Sequence, residues 1–151
     1  MALNIGDKAP DFTGKDQDGN DISLKDFAGK KLVMYFYPKD NTPGCTAQAC
    51  NLRDHYEALL AQGFAVVGIS TDSGTSHQKF IAKHGLPFPL IADTDKVIHE
   101  LFGTWKEKSM YGKTYMGTER TTFVIDEKGV ITEILTGRQV KTKEHSAQIL
   151  G

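Results

Sequence analysis

The chain is poor in several things, and each shortage excludes something. Its 151 residues include only two cysteines, Cys45 and Cys50, one tryptophan and five prolines. Two cysteines are too few for a disulfide-stapled scaffold or for paired zinc clusters. No apolar run approaches the roughly 20 residues that a membrane helix requires. A net charge of −1 gives no field of one sign to draw nucleic acid or acidic lipid. Repeats, low-complexity tracts and linker-like stretches are missing too, so one domain over residues 1–151 is expected. The opening MALNIGDKAP lacks the basic-then-apolar order of a secretory signal. A cytoplasmic protein is therefore expected. In that compartment lasting disulfides are uncommon, and a cysteine pair more often has a catalytic or metal role.

What is present alternates between strand and helix patterns. Asp18-Gly19-Asn20 reads as the turn of a polar N-terminal hairpin. KLVMYFY (31–37) is continuously apolar, as a buried strand should be, and FAVVGIS (64–70) and PLIAD (89–93) look similar. RTTFVIDEKGVITEIL reads as a hairpin turning at Glu127-Lys128-Gly129. Helical patterns cover roughly residues 43–62, 75–84, 95–102 and 143–150. This order predicts an α/β fold, a central mixed sheet with helices on both faces.

Both cysteines lie in YPKDNTPGCTAQAC, residues 37–50. Thr42 is a good N-cap, and Pro43 suits the first helical position, where its missing N–H is not needed. Cys45 then falls in the first turn, where unpaired backbone N–H groups and the helix dipole favour negative charge. A thiolate is such a charge. Gly44 leaves the sulfur approachable, so the Gly44–Cys45 backbone is a candidate substrate-binding region. At about 100° per residue, Cys45, Ala49, Leu52, Tyr56 and Leu59 form one core-facing stripe, with Cys50 about 140° around from Cys45. Ideal geometry separates the two cysteine Cα atoms by roughly 8.7 Å, beyond the roughly 6.8 Å limit of ordinary disulfides. The pair can bond only if the first turns unwind. Inert core cysteines are a competing reading, since buried free cysteine is common. A static bridge conflicts with the helix, and zinc lacks a second ligand cluster.

Other features have plainer readings. GKT at Gly112–Thr114 looks like part of a phosphate loop, but Glu107 stands where that motif needs glycine, so a solvated basic loop is expected. The five histidines are scattered, and helix surface is the expected place for each. Trp105, Met110 and Tyr111 could line a partner surface or simply pack. Asp93 and Asp95 look like helix-start residues rather than a metal pair.

Pro38, Thr42 and Cys45 together resemble the Pro-x3-Thr-x2-Cys motif of peroxiredoxins. The following TAQAC is similar to the bacterioferritin comigratory protein, or peroxiredoxin Q, subgroup. The similarity runs from GDKAPDFTGKDQDGNDISL through FGTWKEKSMYGKTYMGTERTTFVID. It implies a thioredoxin-like fold and peroxide reduction by a cysteine without any cofactor, neither metal, haem nor flavin. By the family pattern Cys45 is the peroxidatic nucleophile and Cys50 the resolving thiol. Thr42 hydrogen-bonds the thiolate and the peroxide, Pro38 shields the site, and Arg120 supplies positive charge. Thioredoxin or a similar dithiol is the implied reductant. Arg120 is one of only three arginines among eighteen basic residues, and it opens a predicted strand. It reaches the cysteine if that strand neighbours residues 31–37; from position alone a surface salt bridge is the competing reading. One departure is Gln48, where many members carry glutamate. With both cysteines in one chain a dimer is unnecessary, and a monomer is expected. A protein thiol–disulfide oxidoreductase and a redox sensor are the alternative uses of the same pair.

Overall fold

A computed structural model describes residues 3–151. The N-terminal hairpin pairs β1 (Thr13–Lys15) with β2 (Asp21–Ser23), its turn closed by Gly19 at φ +81°. The main sheet comprises β3 (Lys31–Phe36), β4 (Phe64–Ser70), β5 (Leu90–Ala92), β8 (Thr121–Ile125) and β9 (Ile131–Thr136), in the order β5-β4-β3-β8-β9. The first three are parallel, and β8 and β9 are antiparallel additions, so the sheet is mixed. Between them lie α1 (Pro43–Asp54), α2 (Tyr56–Ala61), α3 (Gly74–His84), α4 (Val97–Phe102) and the final α5 (His145–Leu150).

Alternation along β3 explains why the sheet is covered twice. Val33 and Tyr35 face a core that also holds Cys45, Ala49, Leu52, Leu59, Phe80 and Ile149, from α1, α2, α3 and α5. Leu32, Met34 and Phe36 face a second core with Ile98 and Phe102 of α4 and Phe12 and Ile22 of the N-terminal region. Side chains two apart on a strand share a face, so a continuously apolar strand must be buried on both.

The structure departs from the sequence reading in three places. The helix expected over 43–62 is interrupted at His55, whose φ −112° and ψ 16° separate α1 from α2. The expected basic loop is an antiparallel hairpin, β6 (Trp105–Met110) with β7 (Lys113–Thr118), joined by Tyr111 and Gly112. Both joining residues have positive φ, 53° and 78°, as a two-residue hairpin turn of the primed kind requires. The hairpin is mostly exposed on both sides, with Met110 and Tyr111 open at its tip and Met116 open farther along β7. Without a buried face it has no period-two signature. Finally, His77, His99 and His145 are buried rather than on helix surfaces. Each ring has hydrogen-bonding partners at both nitrogens, which makes burial tolerable.

Candidate active site

Strand register brings the site together. Phe36 at the end of β3 pairs with Thr121 at the start of antiparallel β8, so Arg120, one residue earlier, arrives beside the segment leading into α1. That segment runs from Tyr37 to Thr42 and delivers Cys45 in the first turn of α1. The sequence condition on Arg120, that its strand lie next to 31–37, is met.

The arginine spans two residues of α1. Its Nη2 donates to Cys45 Sγ at 3.3 Å, and its Nη1 donates to Gln48 Oε1 at 2.6 Å. Cys45 and Gln48 are one helical turn apart on the buried face with Ala49 and Leu52, so one guanidinium fork can bridge them. Cys45 is 1% exposed and Gln48 fully buried. The sulfur is thus buried, with a guanidinium on one side and the first turn of α1 on the other. Both place positive charge or N–H donors beside the sulfur, which is what an electron-rich sulfur needs. Gln48 holds the arginine through a neutral carbonyl oxygen, so no carboxylate competes with the sulfur for its charge. Its Nε2 is buried without a hydrogen-bond partner.

Gly44 does not leave the sulfur open as the sequence suggested, since Cys45 is buried; what it makes room for is the guanidinium. A Cβ at Gly44 would lie 3.2 Å from Arg120 Nη2, tighter than ordinary contact. Thr42 occupies the N-cap position with extended backbone, but its hydroxyl makes no cap bond; it donates to the Lys39 carbonyl at 2.8 Å. Pro38 is half-buried, two residues past the end of β3.

The loop between Pro38 and Thr42 is pinned by Asp40. The Asp40 carboxylate accepts from Tyr37 Oη at 2.6 Å, Ser76 Oγ at 2.8 Å and His77 Nδ1 at 2.8 Å. His77 Nε2 faces the Ile91 carbonyl at 3.0 Å, which anchors the other side of the ring. Burial pushes the Asp40 carboxyl up, but the bonds from His77 and Tyr37 outweigh it, leaving the group below its ordinary value. The Asp40 amide also donates to Asp72. Asp40, Asp72 and His77 are the one metal-like constellation among the described residues, and their atoms are engaged in these structural bonds. Asp93, read from sequence as a helix-start residue, accepts from the Ile98 and His99 amides of α4.

Cys50 lies on the same unbroken α1, half-buried, and both cysteines are free thiols. Its Sγ is 3.7 Å from His84 Nδ1, at the end of α3. Sequence reasoning left His84 among surface residues. Nothing in one sequence signals that α3 ends against α1.

Residues 5–134 match the AhpC/TSA family. The chain is 46% identical over 150 residues to peroxiredoxin Bcp of Bacillus subtilis, covering 99% of this chain and 94% of the relative. It is 45% identical over 148 residues to peroxiredoxin Bcp of Escherichia coli, covering 98% and 94%. A solved peroxiredoxin Q of Xylella fastidiosa, a cysteine-to-serine mutant, superimposes with a TM-score of 0.91 at 34% identity, over 99% of this chain and 94% of that one. The fold is the thioredoxin-like fold of these proteins. Sequence, fold and a cysteine held by arginine agree: the chain belongs to the AhpC/TSA family as a peroxiredoxin of the Bcp and peroxiredoxin Q group, a thiol peroxidase.

Proposed function

We propose that Cys45 is the peroxidatic residue and that Cys50 resolves it, in the reduction of hydrogen peroxide and organic hydroperoxides. The observation that carries the assignment is the 3.3 Å contact between Arg120 Nη2 and Cys45 Sγ at the mouth of α1. Acidity alone is a small part of such catalysis. A free thiol near neutral pH is about 3% ionised, so full ionisation gives at most about thirtyfold. Part of that is lost because a more acidic thiol is a weaker nucleophile. The remainder must come from alignment of sulfur with the O–O bond and from donors facing the departing oxygen. Arg120 and the Cys45 amide supply donors. The Thr42 hydroxyl, its proton directed to Lys39, keeps lone pairs that can accept from the peroxide O–H.

The thiolate of Cys45 attacks the nearer peroxide oxygen; the O–O bond breaks, leaving Cys45 as sulfenic acid and releasing alkoxide or hydroxide, which is protonated. Cys50 then displaces the sulfenic hydroxyl as water, forming the disulfide. Because α1 is continuous from Pro43 to Asp54, this second step requires its first turns to unwind. A thioredoxin-type dithiol reduces the disulfide. Both cysteines belong to one chain, so a monomer suffices, and a cysteine pair used for catalysis rather than as a lasting bridge suits a cytoplasmic setting.

Single-turnover mass spectrometry with one equivalent of peroxide tests the assignment. Cys45→Ser is expected to lose peroxide reduction by more than about 10³-fold. Cys50→Ser should react once and stop, carrying one added oxygen on Cys45. An active protein whose Cys45 stays unmodified would overturn it.

A further inference from the structure

We propose that His84 is the proton acceptor that readies Cys50 for its attack on oxidised Cys45. The inference rests on the reading of Cys50 as the resolving thiol. Three constraints hold the imidazole on that sulfur. The helix α3 ends at His84, closed by Gly85 in the left-handed conformation at φ 60°. Arg53 of α1 donates from Nη1 to the His84 carbonyl at 2.7 Å, tying the end of α3 to the helix that carries Cys50. Phe80, one turn earlier, packs edge-to-face on the ring with centroids 5.1 Å apart. The outcome is a Sγ to Nδ1 distance of 3.7 Å, within reach of an S–H···N bond.

The pairing suits the second step. Sulfenic acid is attacked by thiolate, not thiol. Cys50 is half-buried and lies too far along α1 to share the first-turn amides or Arg120. It needs a local base, and the imidazole nitrogen 3.7 Å away is an acceptor within reach. His84 takes the thiol proton while α1 is still wound. The thiolate then leaves with the unwinding segment, its sulfur bonds to Cys45 sulfur, and the Cys45 S–O bond breaks. The departing hydroxide takes up one proton, so the proton on His84 and the oxygen leave together as water, and His84 returns to its neutral form. The charged and titratable groups facing this pair are Arg53 of α1 and, from the buried side, the Tyr35 hydroxyl of β3.

The two phases of a single turnover separate the claims. Peroxide is added to the full chain, and addition of oxygen to Cys45 and loss of both free thiols are followed by quenched mass spectrometry between pH 5 and 9. With His84→Gln and His84→Ala the first phase persists, reporting an intact mouth of α1. Disulfide formation at pH 7 is expected to slow about ten- to thirtyfold, the ceiling set by a free thiol being about 3% ionised. Its rate should then climb with thiol ionisation at alkaline pH, whereas the wild type loses rate only on the acid side. Added imidazole should restore His84→Ala. The proposal is overturned if either variant forms the disulfide at the wild-type rate and pH profile, or if imidazole restores nothing. Wild-type recovery by His84→Gln, whose amide oxygen accepts but cannot take a proton, would reduce His84 to a spacer. Failure of the wild type to form a Cys45–Cys50 disulfide would instead remove the resolving role of Cys50.

Discussion

Five residues apart on one helix, Cys45 and Cys50 occupy opposite kinds of surroundings. Cys45 is sealed from solvent, faces a permanent cation and lies at the positive end of α1. Cys50 is half-buried, two turns into the helix, and faces an ionisable ring. The first environment is fixed: strand register, a guanidinium fork and Gln48 all hold it. The second is made by two helix ends meeting. A helix therefore does not give its cysteines a common reactivity; depth along the axis and the neighbour across the groove set it. An attacking sulfur benefits from a rigid, charged pocket, whereas one that must later move benefits from a partner it can leave.

The largest expected effect on that contrast comes from Arg120. Replacing it with alanine removes the cation from Cys45 and leaves Cys50 untouched. The rate of Cys45 oxidation should fall about 10²–10³-fold, the scale of losing one donor to a developing charge. Arg120→Lys should recover little of this, because an ammonium cannot bridge Gln48 and Cys45 together. Stopped-flow kinetics against peroxide checks both; an alanine variant within a few-fold of wild type would erase the distinction between the two sulfurs.

Next in size is the support beneath the Cys45 side. Asp40→Asn removes the charge facing His77 and three accepted bonds lose strength, so unfolding by urea at pH 7 should show a loss of about 3 kcal/mol. The pH dependence follows from signs. Asp40 and Asp93 both titrate below their ordinary value of 3.8 when folded; burial opposes this, but bonds from His77 and His99 respectively prevail. Depressed carboxyls stabilise the fold fully above their unfolded value, and that stability is lost as pH falls through the folded one. His145 is also depressed, chiefly by burial, so its contribution begins to drain as pH drops below 6.5. Wild-type stability should decline gently below pH 6.5 and steeply below pH 4. In Asp40→Asn the steep limb should be shallower; an unchanged limb would show that Asp40 does not anchor the loop before α1.

Much of this was legible in the sequence because it depends on local rules. The turns at Gly19 and Gly129, the doubly buried strands and the Thr-Pro-Gly-Cys helix start are each set by a few adjacent residues. The α1 stripe of Cys45, Ala49 and Leu52 was visible as well, though Gln48 shares the buried face and does not look apolar. What escaped depends on distant partners. His77, His99 and His145 are buried because Asp40, Asp93, Thr118, Thr122 and Gln148 await them across the fold. The hairpin β6–β7 projects from the main sheet, so its strands carry no alternating signal. Cys50 and His84 are 34 positions apart, joined only by how α1 and α3 pack.

The smallest effect sharpens the comparison most. Gly44→Ala adds one methyl group 3.2 Å from Arg120 Nη2, on the Cys45 side of α1 only. The guanidinium must give by a few tenths of an ångström, yet it is held by Gln48 at 2.6 Å and by the sulfur at 3.3 Å. Displacement weakens the contact with sulfur, and Cys45 oxidation should slow about three- to tenfold, on the order of 1 kcal/mol. The melting temperature should not fall, because alanine is the better helix former. Disulfide formation, once the sulfenic acid exists, should keep its wild-type rate. Slower oxidation without lost stability ties the rate to guanidinium placement. An unchanged oxidation rate would mean that Arg120 acts on Cys45 only as a diffuse charge, and the rigidity assigned to the first sulfur would then explain nothing about its reactivity.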